Sequence, residues 1–266
     1  MNTSTIRPPA VAGMFYPAER EELRTEVRSF IETGLPHHLP HPPKALIVPH
    51  AGYVYSGAIA GSAYATLAPS RRTITRVVIA GPSHRVGFRG LALSDATVFR
   101  TPLGDVPVDT KAQKTIEHLP GVLHLARAHR DEHGLEVHLP FLQASLASFA
   151  IVPIVVGNAG ESEVAAVLNA LWGGDETLIL ISSDLSHYLA YDEAVRMDRI
   201  TSDAILRFAP EDIGPDQACG RIPIQGLLIA AEFHHLNAHL LDLRNSGDTA
   251  GDRSRVVGYG AYAFTN

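Results

Sequence analysis

Three apolar runs in this chain each stop at a polar segment that carries histidine: Leu46-Ile47-Val48-Pro49-His50, Val77-Val78-Ile79-Ala80-Gly81-Pro82-Ser83-His84, and Leu178-Ile179-Leu180-Ile181-Ser182-Ser183-Asp184 followed by His187. Imidazoles and a carboxylate brought to one place can hold a metal ion or exchange protons. Each residue also has an ordinary explanation. A histidine at a strand end is commonly a hydrogen-bonded structural residue, and Asp184, Ser182 or Ser183 suits a helix cap. Asp184 and His187 are three apart, so a helical turn starting there would put them on one face. Asp184 would then orient a ligand histidine, and His187 would be a ligand or a general base.

Two further groups carry chemistry. Cys219 precedes Gly220-Arg221-Ile222-Pro223. A thiol at a helix start beside an arginine has its thiolate favoured, whereas a lone buried cysteine is inert. Both readings stand. His133, Glu136 and His138 form the densest local cluster, in which His133 and Glu136 share a helical face and His138 points elsewhere. The alternative is a solvated polar helix start. The spacing is not that of the helical histidine pair of zinc peptidases, and neither a Gly-x-Ser-x-Gly elbow nor a phosphate-cradling glycine loop occurs. The tract His37, His38, His41 and the pair His234-His235 read as loop and helix-end residues.

The elements that must position these groups follow from the pattern. Each run is short and β-branched, a buried strand of parallel type, and open α/β sheets bind ligands at the carboxyl ends of such strands. His50 and His84 then occupy equivalent places on neighbouring strands. Helices are expected over Glu19–Ile31, Ser56–Leu67, Thr110–His118, Phe141–Phe149, Glu161–Leu171, Asp192–Phe208 and Ile224–Phe233. The Gly, Ala and Ser content of Ser56–Leu67 suits close packing on a sheet. Further strands are expected at Val122–Leu125 and Ile151–Gly157, with short segments near Leu91-Ala92-Leu93 and Thr97-Val98-Phe99. His239–Leu243 and Val256–Phe264 read as a closing antiparallel hairpin with a short turn. Pro36 to Pro43 is a proline-rich connector.

The chain has 266 residues, 45% of them hydrophobic, enough for a full core in one large α/β domain or two small ones, and no composition break marks a linker. A net charge of -6 supplies no basic stripe for nucleic acid. No segment is long and apolar enough to span a membrane, and the N-terminus lacks a secretory core, so a cytoplasmic location is expected. The single cysteine excludes an internal disulfide.

Several stretches together resemble the Memo family, named for mediating cell motility in animals and including the bacterial AmmeMemoRadiSam system protein B type. They are Arg7-Pro8-Pro9-Ala10-Val11-Ala12-Gly13-Met14-Phe15-Tyr16-Pro17, Pro49-His50-Ala51-Gly52-Tyr53, Gly81-Pro82-Ser83-His84, Glu132-His133 through His138-Leu139-Pro140, Ser182-Ser183-Asp184-Leu185-Ser186-His187 and Cys219-Gly220-Arg221. Gly134 departs from the pattern, where serine is expected. The resemblance implies one Memo-like domain over residues 1–266, with a mostly parallel central sheet flanked by helices, like the class III extradiol dioxygenases (LigB-like). It implies one metal ion, copper or iron, in a pocket lined by His50, His84 and Cys219, with Asp184 and His187 beside them and His133 and Glu136 on the rim. Two imidazoles and a thiolate suit copper, iron or zinc better than magnesium or calcium. Three functions remain: a non-haem oxidoreductase using oxygen or reactive oxygen species, a binding module for an anionic (phospho)peptide or small ligand, or a zinc hydrolase. The resemblance also implies a pathway link to AMMECR-type and radical-SAM proteins.

Overall fold

The computed structural model describes residues 5–35 and 37–266; the first four residues of the N-terminus and Pro36 of the proline-rich connector lie outside them. A nine-stranded sheet organises the chain, and its centre is four parallel strands in the order Ala45–Val48, Thr177–Ser182, Arg76–Pro82, Ala150–Val156. Every residue of Ala45–Val48 and of Thr177–Ser182 is buried. Unbroken apolar runs are what a strand covered on both faces requires.

Alternate residues along each strand feed two separate cores. Leu46, Val48, Val77 and Ile79 face Leu23 and Val27 of the helix Arg20–Thr33 and Ile59 and Tyr64 of the helix Tyr53–Ala65. Ala45, Ile47, Val78 and Ala80 face Val164 and Leu168 of the helix Glu161–Ala170, Ile205 of Tyr191–Leu206, and Leu227 of Arg221–Phe233. Each fully buried aliphatic side chain contributes roughly 1.5–3 kcal/mol relative to exposure. This is the α/β fold with helices on both sheet faces. Among the described residues no helix is long and apolar enough to cross a membrane.

Within this sheet, parallel pairing among the described residues is confined to the centre and to the outer pair Leu91–Leu93 with Val122–His124. Leu91–Leu93 runs antiparallel to Ala150–Val156, and Val256–Thr265 antiparallel to Ala45–Val48, so the margins are mixed. The closing strands Asn237–Asn245 and Val256–Thr265 do pair antiparallel. Their connection is longer than a turn, because Asn245 caps a short helix, Ser246–Thr249. The helix expected over Phe141–Phe149 runs instead from Leu139 to Ser145, started by Pro140 in its first turn. A small sheet of Ile6–Arg7, Val98–Thr101 and Gly104–Pro107 ties the N-terminal segment to the body.

The strands ending at His50 and His84 are not neighbours: Thr177–Ser182 runs between them, with Val48 in register with Ser182. All four central strands still finish at one edge, so His50, His84, Asp184 and Asn158 are delivered together. The small residues of Tyr53–Ala65 serve a helix–helix contact as well as the sheet. A Cβ on Gly61 would lie 2.1 Å from the carbonyl oxygen of Phe30, and one on Gly57 would lie 2.5 Å from the Phe30 ring. Gly61→Ala should therefore push two helices apart at the backbone and cost about 1–3 kcal/mol in denaturant unfolding. Gly87→Ala, with open space around its Cβ, should leave the unfolding midpoint unchanged; equal midpoints for both variants would contradict this packing.

Candidate metal centre

His50 follows its strand directly and is buried. Its main-chain N–H donates to Asp184 Oδ1 at 2.7 Å, and its ring Nδ1 lies 2.6 Å from Ser182 Oγ. The same hydroxyl oxygen lies 2.9 Å from His138 Nε2 and donates its proton to the carbonyl oxygen of Gly134. A serine hydroxyl has one proton and two lone pairs. A carbonyl only accepts, so both imidazoles must donate to Ser182. His50 therefore carries its proton on Nδ1, and its Nε2 presents a lone pair, 3.3 Å from Cys219 Sγ. His138 Nδ1 in turn accepts from the Tyr64 hydroxyl at 2.9 Å.

His84 is set by a different partner. Its Nδ1 donates to Glu132 Oε1 at 2.7 Å, leaving Nε2 as the lone-pair nitrogen, and its main-chain N–H donates to Glu132 Oε2 at 2.7 Å. Gly134 N–H also donates to Glu132 Oε1, at 2.9 Å. Burial alone would raise the Glu132 carboxyl, but these contacts, His84 first, hold it below the usual range. The ring of His133 stacks on His84 with centroids 4.5 Å apart and packs on Phe15 at 4.7 Å. One potential ligand atom from each of His50, His84 and His133 lies within 4.8 Å of the others. Among the described residues His133 Nδ1 is a buried nitrogen with no hydrogen-bond partner, the nearest carboxylate oxygen, Glu132 Oε1, being 3.5 Å away. Burial, then the neighbouring imidazoles, hold His50 well below the ordinary histidine value and His133 at about 4. These rings are neutral at physiological pH, which is the ligating form.

Cys219 lies just before the helix Arg221–Phe233, with Sγ accepting from Asp184 N–H at 3.3 Å. It stands against His50 and outside the three-histidine group. The thiol does adjoin a helix start, but its thiolate is not favoured in the metal-free chain. Burial, followed by the Asp184 carboxylate, pushes it up to about 12. No helical turn joins Asp184 to His187, and no helix is capped there: residues 183–186 are irregular and His187 opens the strand His187–Leu189. Asp184 instead fixes the His50 main chain, its carboxyl pushed up by burial. His187 Nδ1 donates to Leu185 O at 2.8 Å, which leaves the lone pair on Nε2.

Glu136 lies under the site rather than on its rim. It is fully buried, ion-paired with Arg7, and accepts from Ala10 N at 2.8 Å, Val11 N at 3.1 Å and Tyr16 Oη at 2.5 Å. Arg7 also donates to His129 O and Glu132 O, so the pair straps the N-terminal segment onto residues 129–136. Sequence patterning assigns no site role to Glu132, reads Ser182 as a helix cap and points His138 elsewhere, whereas all three hold the site. Glu132 adjoins His133, a usable signal, whereas the role of Ser182 depends on strand register. Gly134 departs from the expected serine where space is short, since a Cβ there would meet Glu132 Oε1 at 3.2 Å and His50 Nδ1 at 3.5 Å.

Fold and site together define an α/β protein with a histidine-rich cluster, able to hold a metal ion, at the carboxyl edge of its sheet. The profile of the family described as "Memo-like protein" matches residues 7–263, and the chain belongs to the Memo family. It is 38% identical to a MEMO1 family protein of Archaeoglobus fulgidus (97% of this chain, 99% of the relative). It is 34% identical to one of Sulfolobus acidocaldarius (97% and 99%) and 36% identical to one of Aquifex aeolicus (96% and 97%). The crystal structure of the uncharacterized protein JW3007 from Escherichia coli K12 is similar in fold, with a TM-score of 0.52 at 12% identity over 82% of this chain and 98% of that one.

The buried imidazoles have a consequence for acid stability. Burial lowers His129 and His133 to about 4 and His138 to about 3, against 6.5 when unfolded, so the folded chain binds fewer protons below pH 6.5. Asp198 and Asp184, raised by burial, act in the opposite sense but are fewer. The stability these histidines contribute is complete above pH 6.5 and is lost as pH falls toward 4, by up to about 1.4 kcal/mol per pH unit for each imidazole. Melting temperature in the presence of chelator should fall steadily from pH 6.5 to 4.5; a flat or rising profile would contradict the neutral cluster.

Proposed function

We propose that the protein binds one redox-active metal ion, copper or iron, through His50, His84 and Cys219, with His133 as a further donor. Its proposed activity is that of an oxidoreductase using oxygen or a reactive oxygen species. The observation that carries this reading is that Ser182 and Glu132 each accept a hydrogen bond from the Nδ1–H of a histidine, so that His50 and His84 keep a lone pair on Nε2. Nitrogen and sulfur donors at 2.0–2.3 Å from one ion lie roughly 3–4 Å apart, and His50 Nε2 and Cys219 Sγ are 3.3 Å apart. The partnerless Nδ1 of His133 adds a donor in need of a partner. A borderline-soft donor set favours transition metals over magnesium or calcium.

Such an ion supplies a change of oxidation state and a Lewis acid. The chain supplies the rest. Asp184 holds the main chain of His50 in place through the amide N–H. His187 Nε2, with Nδ1 committed to Leu185 O, takes and returns a proton beside the site. Glu132 accepts the Nδ1–H of His84 and keeps that ring oriented, the role of a carboxylate behind a metal-binding imidazole.

Elemental analysis of protein expressed with copper or iron supplied should find about one ion per chain, falling at least tenfold in His50→Ala and His84→Ala. Stoichiometric metal retained by the double variant would overturn the site. Zinc as the bound ion, with no spectral change on adding reductant, would overturn the redox assignment.

A further inference from the structure

Beside Cys219 lies a cavity of about 570 Å³, formed where the strands Arg76–Pro82 and Ala150–Val156 end and the helix Arg221–Phe233 begins. That volume suits a small organic molecule. Phe88 and Ile222 give it apolar wall, and Arg89 and Arg221 both line it. Neither guanidinium has a side-chain hydrogen bond or ion pair among the described residues. Both are thus available to an incoming anion, whereas Arg7, Arg76, Arg100 and Arg244 are each committed to a carboxylate. No aspartate or glutamate lines the cavity. Two positive groups sharing one concavity repel until an anion enters, and guanidinium is the side chain best shaped to hold carboxylate or phosphate oxygens.

We propose that this cavity binds a small organic anion, its charged group held by Arg89 and Arg221 and its apolar part lying along Phe88 and Ile222 toward Cys219. The proposal rests on the metal-centre reading in one respect: because Cys219 also lines the cavity, the ligand's uncharged end reaches the proposed ion, which makes the anion the substrate class of that centre.

The test uses the single cysteine as reporter. After metal is removed with chelator, the full chain is alkylated with iodoacetate, itself a small carboxylate, and separately with neutral iodoacetamide. Both reagents meet the same thiol, so the ratio of their rates reports charge selection alone. The ratio should fall at least threefold in Arg89→Gln and in Arg221→Gln and be kept in Arg221→Lys. Benzoate should slow labelling of the unaltered chain by iodoacetate, and benzamide at equal concentration should not. An unchanged ratio in both glutamine variants, or equal protection by benzoate and benzamide, would overturn the proposal. If Arg221→Gln fails to fold, Arg89→Gln on the exposed side of the cavity decides the outcome. Metal content is measured separately: one ion per chain with no charge selection sinks the anion site alone, and charge selection without stoichiometric metal sinks the metal reading and leaves an anion-binding cavity.

Discussion

One hydroxyl proton governs the site. Ser182 spends it on the Gly134 carbonyl, and that choice makes both neighbouring imidazoles donors to its oxygen. The consequence reaches His50 Nε2, which becomes the only basic nitrogen of that ring, and His138, whose Nδ1 must then accept from Tyr64. A buried network of this kind is stable only when every member is satisfied, since each unpaired group costs about 1–3 kcal/mol. Gly134 belongs to the same economy: its carbonyl takes the Ser182 proton while its N–H goes to Glu132, so one residue joins the settings of His50 and His84.

The sheet explains why these partners meet. Ser182 ends the strand between those that lead to His50 and His84, and it is in register with Val48. From that position its side chain reaches His50, while the segment 132–138 arches over the strand end with Glu132, His133 and His138. The arch is held by the Arg7–Glu136 pair and by the amides of Ala10 and Val11. Burial of that pair costs desolvation, and four donors at one carboxylate offset it. The N-terminal segment is thus a structural part of the histidine cluster, and Phe15 packs on the His133 ring as part of the same arrangement.

Much of this was legible in the residues. Unbroken apolar runs announced the central strands, and their abrupt polar endings announced the shared edge, because both signals are local. The order of the strands was not legible: nothing near His50 or His84 says that Thr177–Ser182 runs between them. For the same reason Ser182 reads as a helix cap in the sequence and is a hydrogen-bond hub in the fold. Spacing suggested a helical turn for Asp184 and His187, but pairing of His187 with Val257 draws that residue into a strand. Glu136 shows the converse. A carboxylate among histidines looks reactive, yet Arg7, distant in sequence, had already claimed it. Helix starts were misjudged by a few residues where capping depends on tertiary contacts, as at Tyr53.

The most direct test is the protonation pattern of the His50 ring in the metal-free protein, read from imidazole nitrogen shifts and one-bond couplings in protein labelled with nitrogen-15, with assignment by a His50→Gln variant. The account predicts a neutral ring protonated on Nδ1 at pH 7, with a large share of Nε2–H form only after Ser182→Ala. A ring protonated on Nε2 in the unaltered protein, or an imidazolium at that pH, would contradict it.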